Sequence, residues 1–133
     1  MSSHIQILAP ISRILLANIF LIDGVIKLFS YEAVAEWMFI NGVPEASLPF
    51  VIIFEILGSF FIIFGWQTKL FSLLFFVFCI LTAVIFHSDF SNRMEQIAFM
   101  KNVSMAGGFL LLFLHGSGKY SLESILNRKS GSH

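Results

Sequence analysis

The chain alternates between long apolar segments and short polar ones. Four apolar segments are long enough to cross about 30 Å of hydrocarbon as α-helices, at 1.5 Å per residue. These spans are predicted near residues 11–29, 48–66, 69–87 and 97–115. The pattern therefore predicts an all-α fold, an integral membrane four-helix transmembrane bundle, formed by a single domain over residues 1–133.

Two of the polar segments have helical patterns of their own. After the first span, SYEAVAEWMFING places Val34, Trp37 and Met38 at helical spacing, with Ser30 as a candidate N-cap and Gly42 as a stop signal. Because Trp favours the headgroup region, we expect a short interfacial helix over one end of the bundle. After the fourth span, YSLESILNR is either a short amphipathic helix or a frayed tail.

Composition and charge agree with a membrane protein. Apolar residues make up 57% of the chain and charged residues 12%, whereas a soluble domain has about 25% charged residues. The net charge is zero, so there is no basic surface for nucleic acid. The lipid bilayer is the expected surrounding.

The distribution of Lys and Arg predicts the orientation. The long first loop carries acidic residues and no base, and most loop bases fall on the other side of the bundle. By the positive-inside rule, both termini are predicted to be cytoplasmic. The bases on that side are Arg13, Lys69, Lys119, Arg128 and Lys129.

Polar residues within the spans are the candidate functional residues. In VIIFEILGSFFIIFG, residues 51–65, Glu55 is the only ionisable group. An ionised side chain near the bilayer centre costs about 2.5–3.5 kcal/mol on insertion scales, so such residues are expected to face inward and meet. With two acids and two bases, the predicted cluster would be neutral. Its members, all placed in the outer half of the bilayer, are Asp23, Lys27, Glu55, His87, Lys101 and Asn102.

Metal and disulfide chemistry have no support in the sequence. His87 and His115 fall at opposite membrane faces, about 30 Å apart, and we predict no metal site. Cys79 is the single cysteine, so neither an intramolecular disulfide nor a CxxC relay can form. We interpret Cys79 as an apolar packing residue.

Several ordered motifs resemble those of a known family. On the first span the pattern is Arg13-x3-Ala17-x2-Phe20-x3-Gly24-x2-Lys27, and on the second it is Glu55-x2-Gly58-x6-Gly65-x3-Lys69. Phe86-His87 closes the third span, Asn102 precedes Gly107-Gly108, and Gly116-x-Gly118-x-Tyr120-Ser121-Leu122 follows the fourth. Together these motifs resemble the DoxX family of small four-helix membrane proteins, over nearly the whole chain.

The resemblance implies a multi-pass protein of the bacterial plasma (inner) membrane or its archaeal equivalent, with quinone-linked redox associations. Relatives in that family include a thiosulfate:quinone oxidoreductase subunit. Carried over by position, the family's polar sites are Arg13, Lys27, Glu55, His87 and Asn102. Two residues depart from the family pattern. Asp23 stands where a small residue is expected, and Glu123 where the family tends to have Asp.

Two functions remain open from the sequence. The first is a quinone-linked oxidoreductase or a subunit of one, with Glu55 and His87 as predicted catalytic residues and Glu55 as the proton acceptor. Its predicted substrate-binding residues are Asp23, Lys27, Lys101 and Asn102. Phenylalanines and Trp37 would form the aromatic slot. The chain has no cofactor motif, so no bound cofactor is predicted beyond a membrane quinone, and a second protein must exchange the electrons.

The alternative is a non-catalytic membrane module that recruits or stabilises partner proteins. The glycines of the fourth span and the cytoplasmic helix after it would then mediate contact with a partner or a second copy, and the polar cluster would only hold the helices together. A solute or proton pathway is disfavoured, because the inner half has no ionisable group to continue a relay.

Overall fold

The computed structural model describes residues 2–131, which are mainly helical and contain no strand. The all-α prediction is confirmed. The helices are α1 (Ser3–Gln6), α2 (Leu8–Phe29), α3 (Tyr31–Ile40), α4 (Leu48–Phe64), α5 (Thr68–Phe86), α6 (Arg93–His115) and α7 (Leu122–Ser130), with a 3-10 turn at Glu45–Ser47.

Within residues 2–131, four helical stretches are long and apolar enough to span a membrane: 3–29, 45–64, 68–86 and 93–115. The predicted spans agree with these to within about three residues, except at two starts. The first stretch begins at Ser3 rather than near residue 11, and the fourth begins at Arg93 rather than near residue 97. In the fourth, Asn92 caps the helix by accepting a hydrogen bond from the Met94 backbone N–H at 2.9 Å.

The bundle consists of two antiparallel helix pairs. α2 packs along α4, and α5 packs along α6, whereas α2 and α6 meet only over a short stretch. Aromatic side chains join the pairs. The ring centroid of Phe75 in α5 lies 4.9 Å from that of Phe20 in α2 and 4.9 Å from that of Phe109 in α6. We call the end of the bundle with α3 and the α5–α6 connection the loop end. The opposite end, with α7 and the α4–α5 turn, is the terminal end.

The predicted short helix after the first span is α3. It buries Ala35 and Met38 against Leu48 and Ile52 of α4, which places it across the loop end. Ser30 occupies the N-cap position but makes no side-chain capping bond. The segment after the fourth span is also a helix, α7, capped by the Ser121 side chain, which accepts from Ser124 N–H at 3.1 Å. The alternative prediction for this segment, a frayed tail, was wrong.

Arg13 holds the terminal end together. The sequence pattern indicates a loop anchor, but the Arg13 side chain is buried inside the bundle. Its guanidinium donates to the backbone carbonyls of Ser117 and Tyr120, the latter at 2.7 Å. Those carbonyls follow α6, where the chain has no helical hydrogen bonds to satisfy them. Arg13 therefore fixes the α6–α7 connection to α2.

Gly65 allows the chain to pass close to this contact. It ends α4 with φ +70°, in the left-handed region, and its carbonyl accepts from Glu123 N–H at 3.0 Å. A Cβ atom here would lie 2.6 Å from Ser121 Cβ and 2.8 Å from an Arg13 guanidinium nitrogen. Both the backbone conformation and the available space thus require glycine.

We expect Gly65→Ala to lower the free energy of unfolding by about 1–3 kcal/mol, because it combines backbone strain with overpacking. Gly107→Ala is the matched control. Gly107 lies within α6, and a Cβ atom added there would meet no neighbouring atom within 4 Å, so alanine should stabilise the helix by up to about 1 kcal/mol. Thermal unfolding in detergent micelles measures both. Equal effects of the two substitutions would contradict this account of Gly65.

Candidate functional site

An ion pair between α2 and α4 lies inside the bundle near the loop end. Glu55 of α4 is 1% exposed. The Lys27 ammonium of α2 donates to both of its carboxylate oxygens at 2.9 Å. Lys27 also contacts the carboxylate of Asp23, one helical turn earlier, whose side chain is 52% exposed. The three groups form a row from the bundle interior toward its surface.

Gly24 makes this contact possible. A Cβ atom on Gly24 would lie 2.8 Å from Ile56 Cγ1 and 3.1 Å from Glu55 Cβ. Only a residue without a side chain lets the backbone of α2 approach α4 this closely. The Ser59 hydroxyl adds a second link, since it lies 2.5 Å from the Glu55 carbonyl oxygen and 3.3 Å from that of Ala17 in α2.

The ion pair borders a cavity of about 420 Å³, within the usual range of about 300–1,000 Å³ for small-molecule sites. Its walls come from α2, α3, α4, α5 and α6. The polar or ionisable residues that line it are Asp23, Lys27, Glu55, Thr82, His87 and Asn102. Five of the six predicted site residues are therefore at one cavity.

Aromatic rings form much of the remaining wall. Trp37 of α3 stacks on Phe86 of α5 with ring centroids 4.4 Å apart and an interplanar angle of 20°. Phe20 and Phe78 line the cavity from α2 and α5. The aromatic slot was predicted with Trp37 and unspecified phenylalanines. Phe86 was named only as part of the Phe86-His87 motif, and Phe78 and Thr82 were not singled out, although the three lie at regular spacing along one face of α5.

His87 has a partner that was not predicted from the sequence. Its Nδ1 lies 2.6 Å from Glu95 Oε2, across the α5–α6 connection. A fourth span that starts near residue 97 leaves Glu95 in a loop, whereas the helix in fact includes it. The signal was available: Asn92 followed three residues later by Glu95 is the pattern of a helix N-terminus.

Asn102 and Lys101 have different surroundings. Asn102 is buried, lines the cavity, and donates from Nδ2 to the Ala98 carbonyl of its own helix at 3.0 Å. Lys101 is exposed and lines another groove, on the outer surface between α2 and α6. The expectation that Lys101 joins the cluster was wrong, because successive helical residues point about 100° apart.

The position of Lys101 outside the cavity changes the net charge of the cluster. Two carboxylates, Asp23 and Glu55, share the single ammonium of Lys27, so the set is not the neutral one that we predicted. With both acids ionised it carries one net negative charge, which one proton would neutralise. Within residues 2–131, no three His, Cys, Asp or Glu side chains are grouped closely enough to hold a metal ion.

Removing the cation alone should be costly. Lys27→Met leaves Glu55 buried without its partner, and we expect it to lower the free energy of unfolding by about 3–5 kcal/mol. The double variant Lys27→Met/Glu55→Gln should recover most of this loss, because no buried charge remains. Lys101→Met, at an exposed position on α6, should change stability by less than about 0.5 kcal/mol. Chemical or thermal unfolding in micelles measures the stability of the wild type and of each of these variants. Additive losses in the double variant would contradict the pairing.

Known proteins resemble the chain over most of its length. The family model described as DoxX matches residues 8–88. Inner membrane protein YqjF of Escherichia coli (strain K12) is 40% identical over 119 residues, covering 90% of this chain and 92% of that protein. Inner membrane protein YphA of the same organism is 32% identical over 124 residues, covering 88% and 89%. No solved structure gives a significant match. The chain therefore belongs to the DoxX family of integral membrane proteins.

Proposed function

We propose that this protein binds a membrane quinone in the cavity beside Lys27 and Glu55, and that it acts as the quinone-binding component of a membrane oxidoreductase. The observation that carries the proposal is the cavity itself. It places a buried ion pair and a polar amide against stacked aromatic rings, inside an otherwise apolar bundle. A quinone ring is flat and apolar with two carbonyl oxygens. Its binding site therefore needs aromatic side chains for the ring and polar groups for the oxygens.

The residues have separate roles in the proposed site. Trp37, Phe78 and Phe86 would contact the faces and edges of the ring. The Asn102 amide uses one N–H group on the Ala98 carbonyl, and its other N–H group could donate to one quinone carbonyl. The Lys27 ammonium already donates to Glu55 and Asp23, so it would have to exchange its contact with Asp23 to donate to the second quinone carbonyl.

Quinol oxidation releases two protons and two electrons. Glu55 would accept one proton, which cancels the extra negative charge of the cluster, and His87 the other, with Glu95 holding its ring. The electrons would pass to a partner redox protein.

A groove on the lipid-facing surface supports a ligand that arrives from the bilayer. This groove, of about 470 Å³, lies between α2 and α6 and contains Arg93 and Lys101. It shares Ile19 and Met105 with the cavity wall, so these two side chains separate the cavity from lipid. α2 and α6 are the loosely packed pair of the bundle. A membrane-dissolved molecule would therefore cross one layer of flexible side chains.

Quinone binding is the direct test. We expect saturable binding of ubiquinone or menaquinone to the purified protein in nanodiscs. The affinity should fall at least about tenfold in Lys27→Met, since a lost hydrogen bond to a charged group costs about 1.5–3 kcal/mol. We expect a similar fall in Glu55→Gln, because Lys27 then loses the carboxylate that holds it at the cavity wall. Phe64→Leu, on the lipid-exposed terminal part of α4, is the control and should bind as the wild type does.

Failure to bind either quinone would contradict the proposed function, as would equal binding by all variants. The Lys27–Glu55 pair would then serve helix packing, and the search for function would turn to protein partners of the fourth span. Folding of each variant has to be verified first by thermal unfolding, because Lys27→Met alone is expected to destabilise the bundle.

The lateral route gives a separate kinetic prediction. Met105→Trp and Ile19→Trp should fill the passage and slow quinone association by about tenfold, because overpacking of this size costs about 1–3 kcal/mol. Leu15→Trp and Val103→Trp add the same bulk at exposed positions on the same two helices and should leave the rate unchanged. Stopped-flow quenching of tryptophan fluorescence in nanodiscs measures the rate. Wild-type rates in all four variants would exclude this route.

A further inference from the structure

A second groove lies at the terminal end, on the opposite side of the membrane from the quinone cavity. It has a volume of about 430 Å³ and runs between the end of α4 and α7. Its apolar wall consists of Ile63 and Phe64 from α4 with Leu122 and Ile125 from α7. Phe64, Leu122 and Ile125 are all exposed, so the apolar wall is accessible from lipid.

The rim of this groove is basic. Three bases line it: Lys119 and Arg128 are exposed beside the apolar wall, whereas Arg13 is buried and binds backbone carbonyls. None of the described residues that line it is acidic. The nearby carboxylate of Glu123 accepts a hydrogen bond from the Ser117 hydroxyl at 2.9 Å. It lines a neighbouring polar cavity, which shares Arg128 with the groove.

The backbone that carries the two exposed bases is held in place by the fold. Lys119 lies between Ser117 and Tyr120, whose carbonyls accept from the buried Arg13 guanidinium, and its Nζ lies 5.9 Å from the centre of the Tyr120 ring. Arg128 lies in the last turns of α7, which is fixed at its start by the hydrogen bond from Glu123 N–H to the Gly65 carbonyl. The distance between the backbone segments that carry Lys119 and Arg128 therefore depends on the contacts of Arg13 and Gly65 that attach α7 to the bundle.

We propose that this groove binds an anionic phospholipid, with its phosphate between Lys119 and Arg128 and an acyl chain along Ile63, Phe64 and Ile125. Two basic groups at the rim of an apolar surface match the two parts of such a lipid. α7 shows the same division, because Leu122, Ile125 and Leu126 lie at the i, i+3, i+4 spacing of one helix face, while Arg128 and Lys129 follow in its last turn. A free phosphate ion would use the rim but leave the apolar wall uncovered.

Native mass spectrometry of the detergent-purified protein tests the proposal. Phosphatidylglycerol, phosphatidylcholine or inorganic phosphate is added at increasing concentration, and the lipid-bound fraction is measured. We expect retained phosphatidylglycerol with the wild type, and an affinity lower by about 10- to 30-fold in Lys119→Gln/Arg128→Gln, from the usual contribution of two bases near an anionic lipid.

Lys69→Gln/Lys129→Gln is the matched control. It removes the same charge from the same end of the protein, at residues that do not line the groove, and it should retain phosphatidylglycerol as the wild type does. Equal weakening in both double variants would overturn the proposal in favour of diffuse charge attraction. Equal retention of phosphatidylcholine would also overturn it, and displacement by inorganic phosphate would replace the lipid site with an ion site. All four positions are exposed, so the variants should fold, and thermal unfolding without lipid verifies this.

Discussion

The contact between Lys27 and Glu55 is the constraint on which the loop end of the bundle depends. A carboxylate placed among Val, Ile and Phe residues has no water to solvate it. Burying it in the ionised form is therefore tolerated only if a cation pairs with it. The cation comes from α2, and it reaches Glu55 because Gly24 lets the two helices approach closely. Helix pairing, the burial of Glu55 and the position of the cavity wall are consequences of this one contact.

The terminal end also contains a buried cation, but this cation satisfies a different kind of group. There the buried cation is Arg13, and its partners are backbone carbonyls rather than a carboxylate. The planar guanidinium can donate to two carbonyls at once, which a lysine ammonium on a flexible stem would do less well. The outcome is a closed end in which α7 is attached to the bundle. Both buried cations line an opening of the bundle, but Lys27 binds carboxylates there, whereas Arg13 binds backbone carbonyls. Arg13 and Lys27 are therefore not equivalent anchors at two membrane faces.

The sequence predicted helices better than it predicted which polar side chains meet. Span number, α3 and α7 follow from apolar length and helical spacing, which are properties of local sequence. The boundary at Arg93 was missed because charged residues in the first turn lower the apolar average, although Asn92 and Glu95 are a helix-start pattern. Lys101 was placed in the cluster by depth alone. Depth does not fix the direction of a side chain around the helix axis, and Asn102, one residue later, takes the inward position.

The buried position of Arg13 could not be read from local sequence. The carbonyls it satisfies belong to residues more than a hundred positions later in the chain, and a lone arginine near a helix start is equally typical of a membrane anchor. The resemblance to the DoxX family marked this residue as one of its recurrent polar sites without a role. The structure supplies the role, since Arg13 satisfies backbone acceptors where α6 ends.

The cavity connects to its surroundings in two different directions, and this separation suits the proposed chemistry. In one direction, the row from Glu55 of α4 through Lys27 ends at the half-exposed Asp23, on the side of α2 and one helical turn farther from the loop end than Lys27. In the other direction, Ile19 and Met105 line both the cavity and the outer groove between α2 and α6. A proton moves between polar groups and would follow the first direction, whereas an apolar ring and its tail would follow the second. Because the two routes share no residue, a quinone could exchange with the bilayer without breaking the Lys27–Glu55 contact that holds α2 to α4.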